Sequence, residues 1–465
     1  MPCFLQHTKR KILFNSMKGY VFFWFLTGFL CCALPQVIKA EGPAPQIIRD
    51  AEIETVLHAW AVPVQKAAGI GNFDIVLVQS PQINAFVAGG KNIFIYTGLI
   101  DKTDGPDEIL GVMAHEMGHI AGGHLISNRS AMERASYESI LAAVLGIGAA
   151  VVTGEGQAAQ AIILGGNSMA ERGFLAHSRV NEASADQAAF RFLEGAHLSA
   201  KGLATFLEKL ESEEILPSTQ QSEYMRTHPI TRNRVSAVET LVGSSAFSGA
   251  SLSPAWKEQH ARIKAKLTGF LAPQQVAWTY DERDDSVAAC YARAIAAYRL
   301  SDVESALRQA ESLIKREPQN PYFQELKGQM LVEFGRVLEA IPYYKKSVGL
   351  SPDSALLRIA LAHALIEGNG PKNQLEEAIP HLKRALQAEP RAPRVHRLLA
   401  TAYGRLGQEQ MARLELAEEA VLQMKIEYAK DQAGNILKQA KQGGPEWVKA
   451  RDILSQIAIL ERDKN

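Results

Sequence analysis

Apolar positions recur at helical spacing over residues 48–70 and then give way to two short β-rich runs, 73–79 and 83–98. The second run carries Gly89–Gly90 in its middle and alternating apolar residues after it, which predicts a β-hairpin. Pro106 and Asp107 open a helix predicted to continue through residue 120 and to stop at Gly122–Gly123. Another helix is expected over about 179–194. Between these two, residues 139–164 are unusually apolar and small, yet the first run is too short to span a bilayer. That stretch reads as a buried helical hairpin, with a membrane-touching or substrate-gating segment as the alternative.

Residues 243–254 are rich in Gly, Ser and Ala and read as a linker near Gly249. Beyond them the pattern is helical throughout and periodic. Pro318 and Pro352 are 34 residues apart and Pro390 follows after 38, with an insertion around 370–373. Ala306, Ala340 and Ala378 each stand twelve residues before one of these prolines, and Gly328 and Ala362 share a second equivalent position. Small residues at fixed positions let paired helices approach closely, and the proline closes the second helix. The stretch resembles the tetratricopeptide repeat over roughly 285–425, although the usual Trp is missing and the fourth unit lacks its closing Pro.

The length of 465 residues exceeds one ordinary core and fits two or three domains. The 50 Lys+Arg balance 50 Asp+Glu, which argues against a general polyanion binder. The balance hides a basic leader: residues 1–40 hold Lys9, Arg10, Lys11, Lys18 and Lys39 and no acid. The apolar run Tyr20–Leu34 follows, with Ala40 as a candidate cleavage position, so a signal peptide is expected. Cys3, Cys31 and Cys32 lie in this segment, and adjacent cysteines leave lipidation open. Only Cys290 would remain after cleavage, so no internal disulfide is expected.

Chemistry concentrates at His115-Glu116-Met117-Gly118-His119. Residues four apart share a helix face, so both imidazoles can reach one ion, while Glu116 is offset toward a metal-bound water. A catalytic zinc needs a third protein ligand and one open position. Glu182 and Asp186 share a predicted helix face, so Glu182 can bind metal while Asp186 takes the free ring N–H of a ligand histidine, His115 being the candidate. A solvated acidic stripe is the alternative. His124 is a rival third ligand, but the extended motif needs a histidine at 125, which is Leu125 here. His124 therefore reads as an ordinary polar residue leaving the helix.

The HEMGH run, the ExxxD of residues 182–186, the stretch 84–99 and THPITRNR at 227–234 together resemble the gluzincin peptidases of the HtpX and CAAX-protease branch. The leader and the C-terminal repeats are most similar to the exported, BepA-like members. The resemblance implies an α+β zincin-like metalloprotease domain, with the active-site helix beside a small sheet, followed by an all-α tetratricopeptide-repeat solenoid. It implies that His115, His119 and Glu182 hold one Zn2+ per chain and that Glu116 is the catalytic base. It also implies that Asn84 lies on a sheet edge where substrate adds as a strand, and that Arg234 stabilises the oxyanion. His228 would occupy the open zinc position as a fourth ligand and switch, and Pro229 favours a fixed loop delivering it.

The expected organisation is a signal peptide (1–40), a zinc metallopeptidase domain (41–242), a linker and connecting helix (243–284), repeats (285–426) and a helical extension (427–465). The expected function is an exported, periplasmic zinc metalloendopeptidase of a Gram-negative bacterium, with association with the outer membrane as an open alternative. Its substrates would be misfolded or stalled envelope proteins, with repeats recruiting them or the outer-membrane barrel-assembly complex. A chaperone or adaptor with a mostly self-inhibited protease site is the alternative.

Overall fold

A computed structural model describes residues 46–88, 92–124, 169–217, 220–368 and 370–462. The expected leader, the turn at Gly89–Gly90 and the apolar run 139–164 lie outside these residues. Strand β1 (Gln46–Ile48) leads into helix α1 (Ala51–Ala68), whose first turn is capped by the Asp50 carboxylate accepting the Ile53 N–H at 2.9 Å. Strands β2 (Asp74–Gln79), β3 (Ala85–Ala88) and β4 (Asn92–Tyr96) complete a four-stranded sheet in the order β1-β2-β4-β3. The expected hairpin forms, with Phe86 opposite Phe94, and β2 runs parallel to β4. Alternation along the strands gives the sheet two faces. Ile75, Leu77, Ile93 and Ile95 join the main core, whereas Val78, Phe94 and Tyr96 form a second small cluster.

After α2 (Thr97–Lys102) comes α3 (Pro106–Ala121), buried at every position from Glu108 to His119. Helices α4 (Met169–Gly195) and α5 (Lys201–Glu211) pack across it. A methyl group on Gly118 would lie 2.7 Å from the carbonyl oxygen of Ala185, so only glycine lets α4 come this close to α3. This contact sets the distance between the histidines of α3 and the acids of α4. Helix α6 (Glu223–Thr227) and helix α7 (Arg232–Ser244) close the unit around the same core.

Helix α8 (Pro254–Leu271) follows the Gly/Ser stretch and is part of that core rather than a loose connector. Ile263 and Leu267 are buried in it, Trp60 Nε1 donates to Gln259 at 2.9 Å, and His260 Nε2 lies 2.9 Å from Thr103 Oγ1. Past a short helix α9 (Val276–Thr279), five helix pairs follow. They are α10 (Val287–Arg299) with α11 (Val303–Arg316), α12 (Pro321–Glu333) with α13 (Val337–Leu350), and α14 (Ala355–Glu367) with α15 (Lys372–Ala388). Helices α16 (Pro393–Arg405) and α17 (Glu409–Leu422), then α18 (Ile426–Gln439) and α19 (Pro445–Arg462), complete the series.

The sequence period maps onto this architecture directly. Ala306, Ala340 and Ala378 have no exposed surface, and a methyl on Gly328 would meet the Tyr344 ring at 3.0 Å. Turns between paired helices use left-handed residues at the same period, Ser301, Gly335 and Gly407. Cys290 is half-buried against the first repeat core and free. The start of α1 is bound by the repeats: Arg49 Nη2 donates to Glu389 at 2.6 Å, and Tyr291 donates to Glu52 at 2.8 Å. Buried Lys266 of α8 reaches Asp50 at 2.8 Å and Glu52 at 3.1 Å.

Candidate metal centre

Helix α3 presents His115 and His119 one turn apart, and the glycine contact brings Glu182 of α4 opposite them. His115 Nε2 and His119 Nε2 are 3.0 Å apart; Glu182 lies 3.3 Å from the first and 3.4 Å from the second. The loop after α6 delivers His228, whose Nδ1 is 3.4 Å from His115 Nε2 and 3.2 Å from Glu182 Oε2. One ligand atom from each of these four buried residues falls within 4.8 Å of the others. The edges of a tetrahedron around an ion bound at about 2.0–2.1 Å measure about 3.3 Å, so the donor set fits a small tetrahedral cation. The two facing Nε2 lone pairs of His115 and His119 repel each other unless a proton or cation sits between them. This too fits a metal.

The surrounding groups orient the ligands. Asp186 Oδ1 lies 2.9 Å from His115 Nδ1, fixing the tautomer that leaves Nε2 free for an ion. The His228 ring turns its Nε2 to the carbonyl of Ala85 at 3.2 Å, which leaves Nδ1 for the cluster. Tyr224, fully buried, stacks on that ring at 4.7 Å between centroids. Pro229 follows directly, and His228 sits outside the helix at φ −127°, ψ 75°, at the end of α6 that delivers the ring.

Charge in the cluster follows from burial set against pairing. Burial opposes a charged His115, but Asp186 and Glu182 outweigh it and push its pKa up to about 10. His119 goes the other way, down to about 4, because burial dominates over Glu182. Glu182 stays well below the usual carboxylate range despite burial, held there by His228, His115 and His119. Asp186 is lowered to about 2 against its burial, by His115 and Arg234. Two anionic carboxylates beside a proton-bearing imidazole make a site that releases that proton when a dication binds.

Glu116 is 1% exposed, and burial raises its pKa. One edge of the carboxylate is held by the Val87 backbone, while Oε1 has no hydrogen-bond partner among the described residues. His228 Nε2 lies 3.6 Å from that oxygen, so a buried carboxylate oxygen without a hydrogen bond stands beside the donor cluster, a position suited to a proton-accepting base.

Arg234 and Asn84 both have side-chain partners within the protein. Arg234 is held by groups of the protein itself. Its guanidinium is buried and engaged, with Nε and Nη2 donating to Asp186 at 2.7 and 2.9 Å and Nη1 to the Pro229 carbonyl at 2.8 Å. Nη1 is also 3.1 Å from Glu182. Asn84 stands at the start of edge strand β3, but its side chain is buried and donates to Glu223 at 3.3 Å. The backbone groups that β3 turns toward the cluster belong to Ala85 and Val87. His124 is outside the four-residue set, with its Nδ1 3.0 Å from His119 Nδ1. Sequence reasoning passed over Gly118 and Tyr224; Gly118 was visible only as a spacer inside the motif, and Tyr224 carried no signal.

Residues 48–242 match the model of peptidase family M48, and residues 291–355 and 372–431 match the tetratricopeptide repeat. The beta-barrel assembly-enhancing protease of Yersinia pestis is 26% identical over 355 residues, covering 74% of this chain and 71% of that protein. Metalloprotease LoiP of Escherichia coli (strain K12) is 33% identical over 160 residues, covering 33% of this chain and 56% of that protein. Protease HtpX of Xanthomonas axonopodis pv. citri is 28% identical over 113 residues, covering 23% of this chain and 38% of that protein. With a buried donor set and this likeness converging on residues 48–242, that part of the chain is a metalloprotease domain matching peptidase family M48, and tetratricopeptide repeats follow it.

Proposed function

We propose that this protein is an exported zinc endopeptidase acting on misfolded or stalled envelope proteins, with its repeats engaging those proteins or the barrel-assembly machinery. The observation that carries the enzymatic part is the convergence of His115, His119, Glu182 and His228 beside a buried Glu116. Zinc held by His115, His119 and Glu182 would polarise the scissile carbonyl and acidify an attacking water. Glu116 takes that water's proton and passes it to the leaving amine. Its raised pKa suits both halves of the task. An extended chain pairs with the outward backbone of Ala85 and Val87, which reads conformation rather than sequence and suits non-native substrates. The names of the relatives support the envelope role, as does the basic leader in the sequence. Among the described residues no helix is long and apolar enough to cross a membrane.

His228 favours a second element of the reading, restraint. Its ring fills the place among the ligands that a water or substrate needs, and it also covers the Ala85 carbonyl. A chaperone-like adaptor with a mostly silent site would look the same at rest. The test compares wild type, Glu116→Gln and His119→Ala by elemental analysis and casein cleavage. Glu116→Gln should keep about one zinc per chain and lose cleavage, while His119→Ala should lose both. Full cleavage by Glu116→Gln would remove the proposed base, and a wild type that binds no metal would sink the zinc reading.

A further inference from the structure

His115 and His119 meet the cluster through the same ring atom, Nε2, so each leaves Nδ1 facing away from it. A ligand imidazole is held in one orientation by the partner of its outward nitrogen. For His115 that partner is the buried Asp186 carboxylate. For His119 it is a second imidazole, His124, with the two Nδ1 atoms 3.0 Å apart and the rings nearly perpendicular.

The chain makes this contact by a specific fold-back. Helix α3 ends at Ala121, Gly122 keeps a right-handed conformation (φ −76°), and Gly123 adopts φ +62°. The left-handed residue reverses the chain, so that the His124 ring returns across the last turn of the helix. A methyl group on Gly122 would lie 2.4 Å from His124 Nε2 and 2.7 Å from Cε1. The ring thus occupies the space that a side chain at 122 would take. Two glycines serve one contact: Gly123 for the reversal, Gly122 for the room.

We propose that His124 is a positioning residue for the metal centre: it accepts the Nδ1–H of His119 and locks that ring with Nε2 toward the ion. His124 is then the counterpart of Asp186, and it is neither a ligand nor a solvent-facing polar residue. The role requires His124 to carry its own proton on Nε2 and to present Nδ1 as an acceptor. The inference rests on the metal-site reading above and adds a second anchored ligand to it.

The test is zinc affinity of the full protein, measured by competition with a chromophoric chelator and therefore independent of turnover. His124→Ala should weaken zinc binding about 10–100-fold. His124→Asn places an amide oxygen near the Nδ1 position and should recover most of that loss. Gly122→Ala suits the backbone angle at 122 and only displaces the ring, so it should weaken zinc about as much as His124→Ala. Combined with His124→Ala it should add nothing, because the contact is already gone. Melting of the zinc-stripped proteins should be the same for wild type and His124→Ala.

Unchanged affinity in His124→Ala would overturn the proposal, as would an Asn variant no better than Ala. Loss of zinc as complete as in His119→Ala would make His124 a ligand instead. Fully additive losses in the double variant would disconnect Gly122 from His124. A wild type that binds no zinc fails the metal-site reading itself, an outcome distinct from all of these.

Discussion

His228 Nε2 lies 3.2 Å from the carbonyl oxygen of Ala85 while Nδ1 of the same ring stands 3.2 Å from Glu182. In the zinc reading proposed above, this one imidazole would block two things at once, the open ligand position and the outward edge of β3. Removing it frees both without touching the other three ligands. His228→Ala should keep zinc and cleave casein faster by the inverse of the fraction of time the ring is withdrawn, at least about tenfold if the closed arrangement dominates. A time course as slow as wild type would leave His228 as an ordinary loop residue.

Arg234 and Asp186 form a buried bidentate pair, and the same guanidinium reaches Glu182. Arg234→Ala leaves two buried carboxylates without their cation, a change that costs about 3–5 kcal/mol when one member of such a pair is lost. The variant should melt well below wild type and hold zinc more weakly, since Asp186 no longer fixes His115. Arg234→Lys should restore little, because an ammonium cannot reproduce the fork. Normal melting and normal zinc with a lost kcat would instead return Arg234 to the oxyanion.

The Gly/Ser stretch at 243–254 suggests a cut near Gly249, but the core extends past it. A chain ending at residue 249 loses α8 and with it Ile263 and Leu267, each worth about 1.5–3 kcal/mol of apolar burial. It also leaves Trp60 Nε1 without Gln259 and takes His260 from Thr103, whose hydroxyl keeps the Ile100 carbonyl at 2.7 Å. This truncation should melt lower than one ending at residue 271, by several kcal/mol in denaturant unfolding. Equal stability of the two would make α8 a mere connector.

His260 is buried against Thr103, and burial with nearby Lys264 lowers its pKa from 6.5 to about 4. A group whose folded pKa is depressed binds its proton first in the unfolded state. The stability it allows is present above about pH 6.5 and is lost as pH falls toward 4, by up to ~3 kcal/mol. The difference in unfolding free energy between wild type and His260→Gln should shrink or reverse across that window and stay flat above it. A difference that does not vary between pH 7 and 4 would mean the ring titrates normally.

Much of the molecule was legible in the chain. The helix of residues 106–121, the hairpin around Gly89–Gly90 and the repeat period rest on local spacing, which a short window already contains. The pairing of His115 with His119 is of that kind, since four residues is one helical turn. The ExxxD pair 182–186 likewise declares one face of one helix.

What tertiary structure decided is which separated segments meet, and at what distance. Gly118 permits the close crossing that carries Glu182 to the histidines, a contact between residues whose sequence neighbours say nothing of each other. The sequence leaves open what Arg234 touches. The fold brings its guanidinium to the buried carboxylates of Asp186 and Glu182, 48 and 52 residues away in the chain. The linker composition at 243–254 is real, but α8 beyond it belongs to the protease core, because burial of Ile263 and Leu267 depends on a surface assembled from α1, α2 and α3. His124 read as a residue leaving a helix, and only the reversal at Gly123 returns it to His119. Local periodicity determines the elements; the distances on which a metal site depends are set by close packing between elements remote in sequence.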